Sequence, residues 1–520
     1  MSHAIPSNDD WYDFASGGSG QSMSKFTRRV MLAGASAAAG VVAGRNWLAP
    51  ESDPGPKFPL VDSFAQAKGS VLNDASELNP TKIYKHATLN SGLDTDYTNR
   101  LRAILADAVD NDRPFCASTA RHTMGGHALP DEGLALTLSQ KWIEADTAAK
   151  TYRVTAGTRW STVIAELDKI GFSPAVMQSN NDFGVASTFS VNAHGWPVPF
   201  GPMGSTVRSM RLMRADGDVI KCSRDSHQDL FSLAMGGYGL FGLITDLELD
   251  MVPNARLTPS YERVSGPDLG KAFADTLAKD PSIQMAYGRL DVSLDRFFDG
   301  GLLITYRPGA DQTDLPPAAG SGVVSYASAS IFRAQLGSDT AKHFRWWTET
   351  AVGPAAVGDS TRNSLMNEPV VTLADGDPGR ADILHEYFVP PDRFHEFVAH
   401  CQQVIPASYQ QLMNITVRYV AADKDSVLSY APEPRIASVM LFSQEKSVRA
   451  EADMARMTHH LIERVLSIGG TYYLPYRPHA TVEQFKRAYP RAAELAQKKR
   501  ELDKGMTFRN RFWDNYLSKV

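Results

Sequence analysis

Three short stretches rich in glycine and small side chains carry the first chemical signal. They are CASTARHTMGGHAL (Cys116–Leu129), SNNDFGVASTFSVNAHG (Ser179–Gly195) and AMGGYGLFGLITDLELDMVP (Ala234–Pro253). Backbone that must approach a pyrophosphate needs small side chains, and successive N–H groups in such a turn form an anion-binding nest. One such stretch is ordinarily just a turn. Three of them, in this order and at this spacing, are hard to explain as unrelated turns. Two histidines belong to the first: His122 ends the small-residue loop, and His127 follows Gly125-Gly126. Further along, Arg418 lies in NITVRYV, where two-residue alternation points Asn414, Thr416 and Arg418 to one face of a strand. Tyr473, Tyr476, Arg477 and His479 cluster near the C-terminus. Strand arginines usually pair with carboxylates and tail tyrosines usually pack, so each also has an ordinary structural reading.

The elements that must position these groups are legible in outline. Residues 96–111 place Leu101, Ile104, Leu105 and Val109 on one helical face. Strands are predicted at Phe115–Ser118, Leu134–Leu138, Lys141–Ala145 and Thr151–Ala156, and a second helix at Trp160–Ile170, stopped by Gly171. Strands alternating with helices over 80–257 imply an α+β or α/β domain. From 258 to 467 the pattern changes. Met285–Val292, Gly301–Arg307, Ile383–Val389, Met413–Val420 and Ile436–Ser443 read as strands of a separate sheet, with helices near 339–352, 392–402 and 447–467 to cover one face. Residues 468–520 read as helical and basic.

The three small-residue segments resemble the FAD-binding module of the vanillyl-alcohol oxidase and p-cresol methylhydroxylase superfamily. The motifs are most similar in flavour to alditol and aldonolactone oxidases and decaprenylphosphoryl-ribose oxidases. Arg121-His122-Thr123 matches the family's R-H-S form, with Ser118, Thr119 and Ala120 in place of its usual glycines. Ala186-Ser187 stands where the family has Gly-Gly, Asn192-Ala193-His194-Gly195 fits the usual ending, and DLFSLAMGGYGLFGLIT matches closely. The tail YYLPYRPHATVEQFKRAYP, followed by FRNRF, resembles the family's C-terminal return to the FAD domain.

The resemblance implies an α+β fold: a two-part FAD-binding domain over 80–257, a substrate domain with a mainly antiparallel sheet over 258–467, and a returning segment over 468–520. It implies FAD as cofactor, held at the pyrophosphate by Ser118, Thr119, Ala120, Arg121, His122 and Thr123. Val185, Ser187, Thr188, Ser190, Ala193, Gly195 and Ile244 would line the rest, and no metal is implied. In many relatives the histidine at the place of His122 is bonded covalently to the flavin; His127 is its rival, read as a structural neighbour. Oxidation of an alcohol needs a base within hydrogen-bond reach of the hydroxyl. Arg418, Tyr473, Tyr476 and His479 are the catalytic candidates, although a lysine stands in the ribose oxidases where this chain has Tyr476. The expected function is oxidation of a hydroxyl on a small polyol, sugar or lactone-like molecule by hydride transfer to flavin. Oxidation of an aromatic alcohol or an amine, and silent ligand capture on the same fold, stay open beside it. Oxygen or a respiratory carrier would take the electrons.

The remaining signals concern address and partners. A net charge of −5 over 520 residues gives no support for a nucleic-acid partner, which normally needs a concentrated basic face. The three cysteines, Cys116, Cys222 and Cys401, are too far apart for a zinc or CxxC motif. Residues 1–24 are polar and rich in serine and glycine. Arg28-Arg29 then precede an apolar stretch from Val30 to Gly44, too short for a comfortable membrane span. The order Thr27-Arg28-Arg29-Val30-Met31-Leu32 resembles the twin-arginine signal of bacteria, which hands folded proteins to its own export machinery. Residues 1–50 therefore read as leader, 51–79 as linker, and the protein as exported, periplasmic or membrane-tethered. Replacing both Arg28 and Arg29 with lysine removes the guanidinium forks while keeping the charge. The double variant is expected to stay in the cytoplasm, as fractionation against the wild type would register; normal export would dismiss the signal.

Overall fold

The computed structural model of the protein describes residues 71–90, 96–320, 332–368 and 377–520. The leader reading on 1–50, and the linker as far as residue 70, lie outside the described residues. Two short strands open the described part: β1 (Val71–Leu72) pairs antiparallel with β2 (Thr81–Lys82). Between them Asp74 is buried and accepts hydrogen bonds from Ser76 Oγ at 2.6 Å, Asn79 Nδ2 at 2.8 Å and the backbone N–H of Gly126 at 2.8 Å. Residues 71–79 are thus packed against the first small-residue loop rather than free as a linker. Their polar composition hid this, because the polar groups satisfy one another.

Three parallel strands come next: β3 (Lys85–Leu89), β4 (Phe115–Ser118) and β5 (Leu134–Leu138), in the order β3-β5-β4. A parallel pair needs a crossover, and the helix Tyr97–Asp110 supplies it between β3 and β4, burying Tyr97, Leu101, Leu105 and Ala108. An antiparallel sheet follows. It contains β6 (Ile143–Asp146), β7 (Thr151–Thr155), β8 (Phe172–Pro174), β9 (Val207–Met213), β10 (Val219–Ser223) and β11 (Leu243–Pro253), ordered β10-β9-β11-β7-β6 with β8 also on β11. The second small-residue segment, expected as a turn, instead holds a short helix, Val185–Ser190.

The largest sheet is antiparallel throughout. It holds β12 (Arg256–Ser265), β13 (Met285–Leu290), β14 (Gly300–Pro308), β15 (Ser360–Thr361), β16 (Arg380–Val389), β17 (Gln411–Val420), β18 (Arg435–Glu445) and β19 (Thr471–Tyr472), ordered β15-β12-β14-β13-β17-β18-β16-β19. All five strands expected after residue 258 are here. β12 and the helix Leu269–Lys279 were not anticipated; β12 buries only Leu257 along its ten residues, so its apolar signal is weak. Alternation gives this sheet two faces. Ile415, Val417, Met440 and Phe442 join one core with Met454, Met457, Leu461 and Val465 of the helix Val448–Ser467. The opposite face carries Arg289, Thr416, Val439 and Glu386 and walls a cavity.

His385 lies on the helix-covered face, its ring 5.2 Å from Phe442 and its Nε2 buried without a partner. Burial, aided by the charges of His479 and Arg477, pushes its pKa down to about 3. The folded chain therefore excludes a proton that the unfolded chain takes up below about 6.5. The stability that depends on neutral His385 is fully present above pH 6.5 and drains away as the pH falls toward 3. His385→Phe is expected to show a shallower loss of melting temperature between pH 6.5 and 4 than the wild type. Parallel slopes would remove His385 from the acid response.

Candidate active site

A cavity of about 410 Å³ runs between the small parallel sheet, the Val185–Ser190 helix and the open face of the large sheet. Its first wall is the loop that leaves β4. Ser118, Thr119, Ala120, Arg121, His122 and Thr123 all line it. Arg121 has φ of 51°, in the left-handed region, and its guanidinium turns away to donate to Thr137 Oγ1 at 3.0 Å. Among the described residues, the backbone N–H groups of Ala120 to Thr123 donate to no other protein group. Free N–H groups around a left-handed residue make an anion nest. The adjoining helix comes very close: a Cβ at Gly184 would lie 2.3 Å from Thr119 Oγ1. Ser187, Thr188, Ser190, Ala193 and Ile244 complete this end.

Two of the expected cofactor contacts are not on the cavity wall. Val185 is fully buried in the core, because the helix turns that side chain inward. Gly195 is placed by crowding: a Cβ there would lie 1.8 Å from the carbonyl oxygen of Met177.

Both histidines of the first loop line the cavity, in different settings. His122 is half-buried, its ring 4.3 Å from that of Phe183 and its Nε2 3.1 Å from a carboxylate oxygen of Asp182, though not in hydrogen-bond geometry. His127 is buried between Tyr238 and Phe512, with centroids at 5.1 and 5.3 Å. Burial pushes its pKa down to about 3, so it packs as a neutral ring.

The sheet wall is ordered by strand register. Arg289 of β13 stands opposite Thr416 of β17, Thr416 opposite Val439 of β18, and Val439 opposite Glu386 of β16. Asn414 and Arg418 line the cavity with Thr416, as alternation requires. Glu386 is buried, and its Oε1 lies 2.5 Å from His194 Nε2. Its Oε2 accepts from Tyr476 Oη at 3.3 Å. His194 Nδ1 is buried with no partner. Arg418 donates to the carbonyl of His194 at 3.3 Å and to Ser179 Oγ at 2.5 Å, and its Nε is buried without a partner.

Tyr473 and Tyr476 also line the cavity. Burial, with further help from neighbouring acidic groups, raises both phenols well above their ordinary range, so they serve as hydrogen-bond donors and not as bases near neutral pH. Tyr473 Oη donates to the carbonyl of Val191 at 3.0 Å. His479 is not brought to the cavity. It sits under the helix Val448–Ser467, where its Nε2 is 2.9 Å from Glu451, a residue that also binds Arg477. The strand β19 ends at Tyr472, and the chain then passes beneath the sheet edge, which carries His479 away from the tyrosines.

Sequence reasoning passed over Glu386, His194 and Arg289. A lone glutamate in ILHEYFV and a lone arginine in AYGRL were the available signals. His194 stood inside the matched Asn192–Gly195 ending.

The residues present suit FAD: a nest of free N–H groups at one end, and unpartnered buried polar atoms of Thr123, His194, Trp196 and Arg418 along the cavity. Comparison with known proteins agrees. Residues 96–223 match the family model described as an FAD binding domain. The chain is 30% identical to alditol oxidase of a Streptomyces strain over 141 residues, 26% of this chain and 34% of that protein. It is 27% identical to mouse L-gulonolactone oxidase, over 26% of this chain and 32% of that one. Cytokinin dehydrogenase 9 of Oryza sativa subsp. japonica is 26% identical, over 33% of this chain and 34% of that one. These matches span about a third of each relative's length. The fold is similar to that of 6-hydroxy-D-nicotine oxidase from Arthrobacter nicotinovorans, with TM-score 0.58 and 15% identity, covering 88% of this chain and 98% of that one.

Gly184→Ala must drive Thr119 and the helix apart, since the Cβ would meet both Oγ1 and Cβ of a buried side chain. The variant is expected to fold but to hold several-fold less FAD per chain, as the ratio of flavin to protein absorbance would show. Full occupancy would mean that this close approach is not needed for the cofactor.

Proposed function

We propose that this chain, an FAD-binding protein of the vanillyl-alcohol oxidase and p-cresol methylhydroxylase superfamily, oxidises a hydroxyl group of a small polyol, sugar or lactone-like molecule. The observation that carries this reading is the buried Glu386–His194 pair. The tautomer that fits the contact donates Nε2–H to the carboxylate. It leaves the Nδ1 lone pair as acceptor, held in orientation by the carboxylate as in other acid–imidazole pairs. His194 Nδ1 takes the hydroxyl proton as the C–H hydrogen leaves with its electron pair. FAD, when bound, supplies the acceptor for that hydride. Tyr476 donates to the second oxygen of Glu386, and Arg418 fixes the His194 backbone.

The relatives whose names point to amine-type substrates motivate a second reading, oxidation at carbon bonded to nitrogen. Arg289 and Arg418 on the wall argue against it, because an amine is cationic near neutral pH. His122, on the cavity wall, is the residue that anchors the flavin covalently in this reading. The electron acceptor is oxygen or a respiratory carrier, and the enzyme acts after twin-arginine export.

His194→Gln and Glu386→Gln are expected to keep FAD but to lower kcat/KM by about 10²–10⁴-fold, the usual worth of a positioned base. A panel of polyols, sugars, lactones and amines, scored by anaerobic flavin bleaching, identifies the substrate; bleaching by amines alone would overturn the hydroxyl reading. Mass spectrometry of the peptide spanning Arg121 to His127 is expected to find the flavin on His122. An unmodified His122 in yellow wild-type protein would show that the cofactor is held without a bond.

A further inference from the structure

Buried arginines in this molecule generally have acidic partners. Arg345 is 2.7 Å from Glu349, Arg477 pairs with Glu451, and Arg435 lies 3.6 Å from Glu433. Arg362, which has none among the described residues, donates to three backbone carbonyls, of Gln284, Pro174 and Ala175. The cavity departs from this rule. Among the described residues, neither Arg289 nor Arg418 has a carboxylate within ion-pair distance. Arg289 donates to Thr416 Oγ1 and lies 5.0 Å over the ring of Tyr287. Arg418 has one carbonyl, one hydroxyl and an unpartnered Nε.

The acidic groups nearby are already committed. Glu386 holds His194 and Tyr476, Glu349 holds Arg345, and Glu368 on the cavity wall is itself engaged. Glu386 and Glu349 act on Arg418 and Arg289 only through space, without an ion pair, so two half-buried guanidinium groups facing one cavity keep donors free for an anion from outside the protein. Position narrows the kind. Arg289 stands opposite Thr416, and Arg418 lies two residues further on the same strand face. Diagonal neighbours of this sort are roughly 7–8 Å apart at the backbone, close enough for two long side chains to converge. The planar guanidinium fork matches a carboxylate in two hydrogen bonds. Arg418 also touches the backbone of His194, which places the anion beside the proton acceptor. Thr416 lies between them, and Asn414 follows on the same face as a further partner for hydroxyls.

We infer that Arg289 and Arg418 form a carboxylate subsite, so that the substrate is a polyhydroxylated acid, of the aldonate or uronate class, and not a neutral sugar. The inference rests on the hydroxyl-oxidation reading for its chemistry but on the two guanidinium groups for its charge.

The holoenzyme is tested with matched pairs, gluconate against sorbitol and glucuronate against glucose, by anaerobic flavin bleaching. At least one acid is expected to reduce the flavin with a KM ten-fold or more below that of its neutral partner. Oxalate, which has no hydroxyl to oxidise, separates binding from turnover. It is expected to perturb the flavin absorbance saturably in the wild type, weakly in Arg289→Lys, and not at all in Arg289→Met or Arg418→Met at equal FAD content. If no member of either pair bleaches the flavin but oxalate binds in this arginine-dependent way, the subsite stands and the hydroxyl reading falls. If sorbitol matches gluconate, or if oxalate binds equally to wild type and Arg289→Met, the carboxylate subsite is refuted. Loss of either arginine that alters the flavin spectrum without affecting any anion would assign these groups to the cofactor and refute it too.

Discussion

The hydrogen bond between Glu386 and His194 joins strand β16 of the large sheet to the chain that leaves the Val185–Ser190 helix, 192 residues earlier in sequence. Both side chains are almost wholly out of water, at 1% and 3% exposure. A buried carboxylate is tolerated only when its lone pairs are used, and removing one partner leaves a charge that nothing else can satisfy. The contact therefore restricts how the small-residue segments and the large sheet can be placed against each other. Because Arg418 donates to the backbone of the same histidine, the restriction passes on to β17 and to the row of side chains across the sheet. The cavity has its shape because these polar groups must meet.

Two strips of chain hold the loop that faces them. Asp74 accepts the N–H of Gly126, while Ala75 donates to the carbonyl of Arg121 at 3.0 Å, so the loop is gripped from both ends. The C-terminal segment grips it again. Met124 donates to the carbonyl of Pro475 at 2.7 Å, and Phe115 donates to Thr507 at 2.6 Å, extending the parallel sheet by one bridge at Phe508. Asn510 then caps the carbonyls of His127 and Tyr238. With its own N–H groups turned to the cavity, the loop could not keep an unpaired left-handed conformation alone; the neighbouring chain over-determines it. The small residues Ser118, Thr119 and Ala120 are what allow the helix at Gly184 to close on it.

Much of the architecture was legible in the sequence because its signals are local. The helix Tyr97–Asp110 and the strands β4, β5, β13, β14, β16, β17 and β18 carry regular apolar periods, and small residues mark the loops that approach a phosphate. The alternation Asn414, Thr416, Arg418 was enough to put those groups on one face. Where periodicity is weak the reading failed: β12 is exposed along most of its length, and Val185–Ser190 is too short for a helical stripe.

The site was legible only in part, for a different reason. Residue types and loop composition specified the FAD side, since a backbone nest needs only the right local chain. Which polar groups meet across the cavity depends on contacts between distant segments. Nothing local distinguishes Glu386, which reaches His194, from His479, which reaches Glu451 on the other side of the same sheet. Likewise no pattern in AYGRL tells that Arg289 lacks a carboxylate. The sequence by itself determined the elements, the phosphate-binding loop and the candidate face of β17. The tertiary structure decided which charges form ion pairs and which do not, because pairing is a property of register and packing and not of the chain's local order.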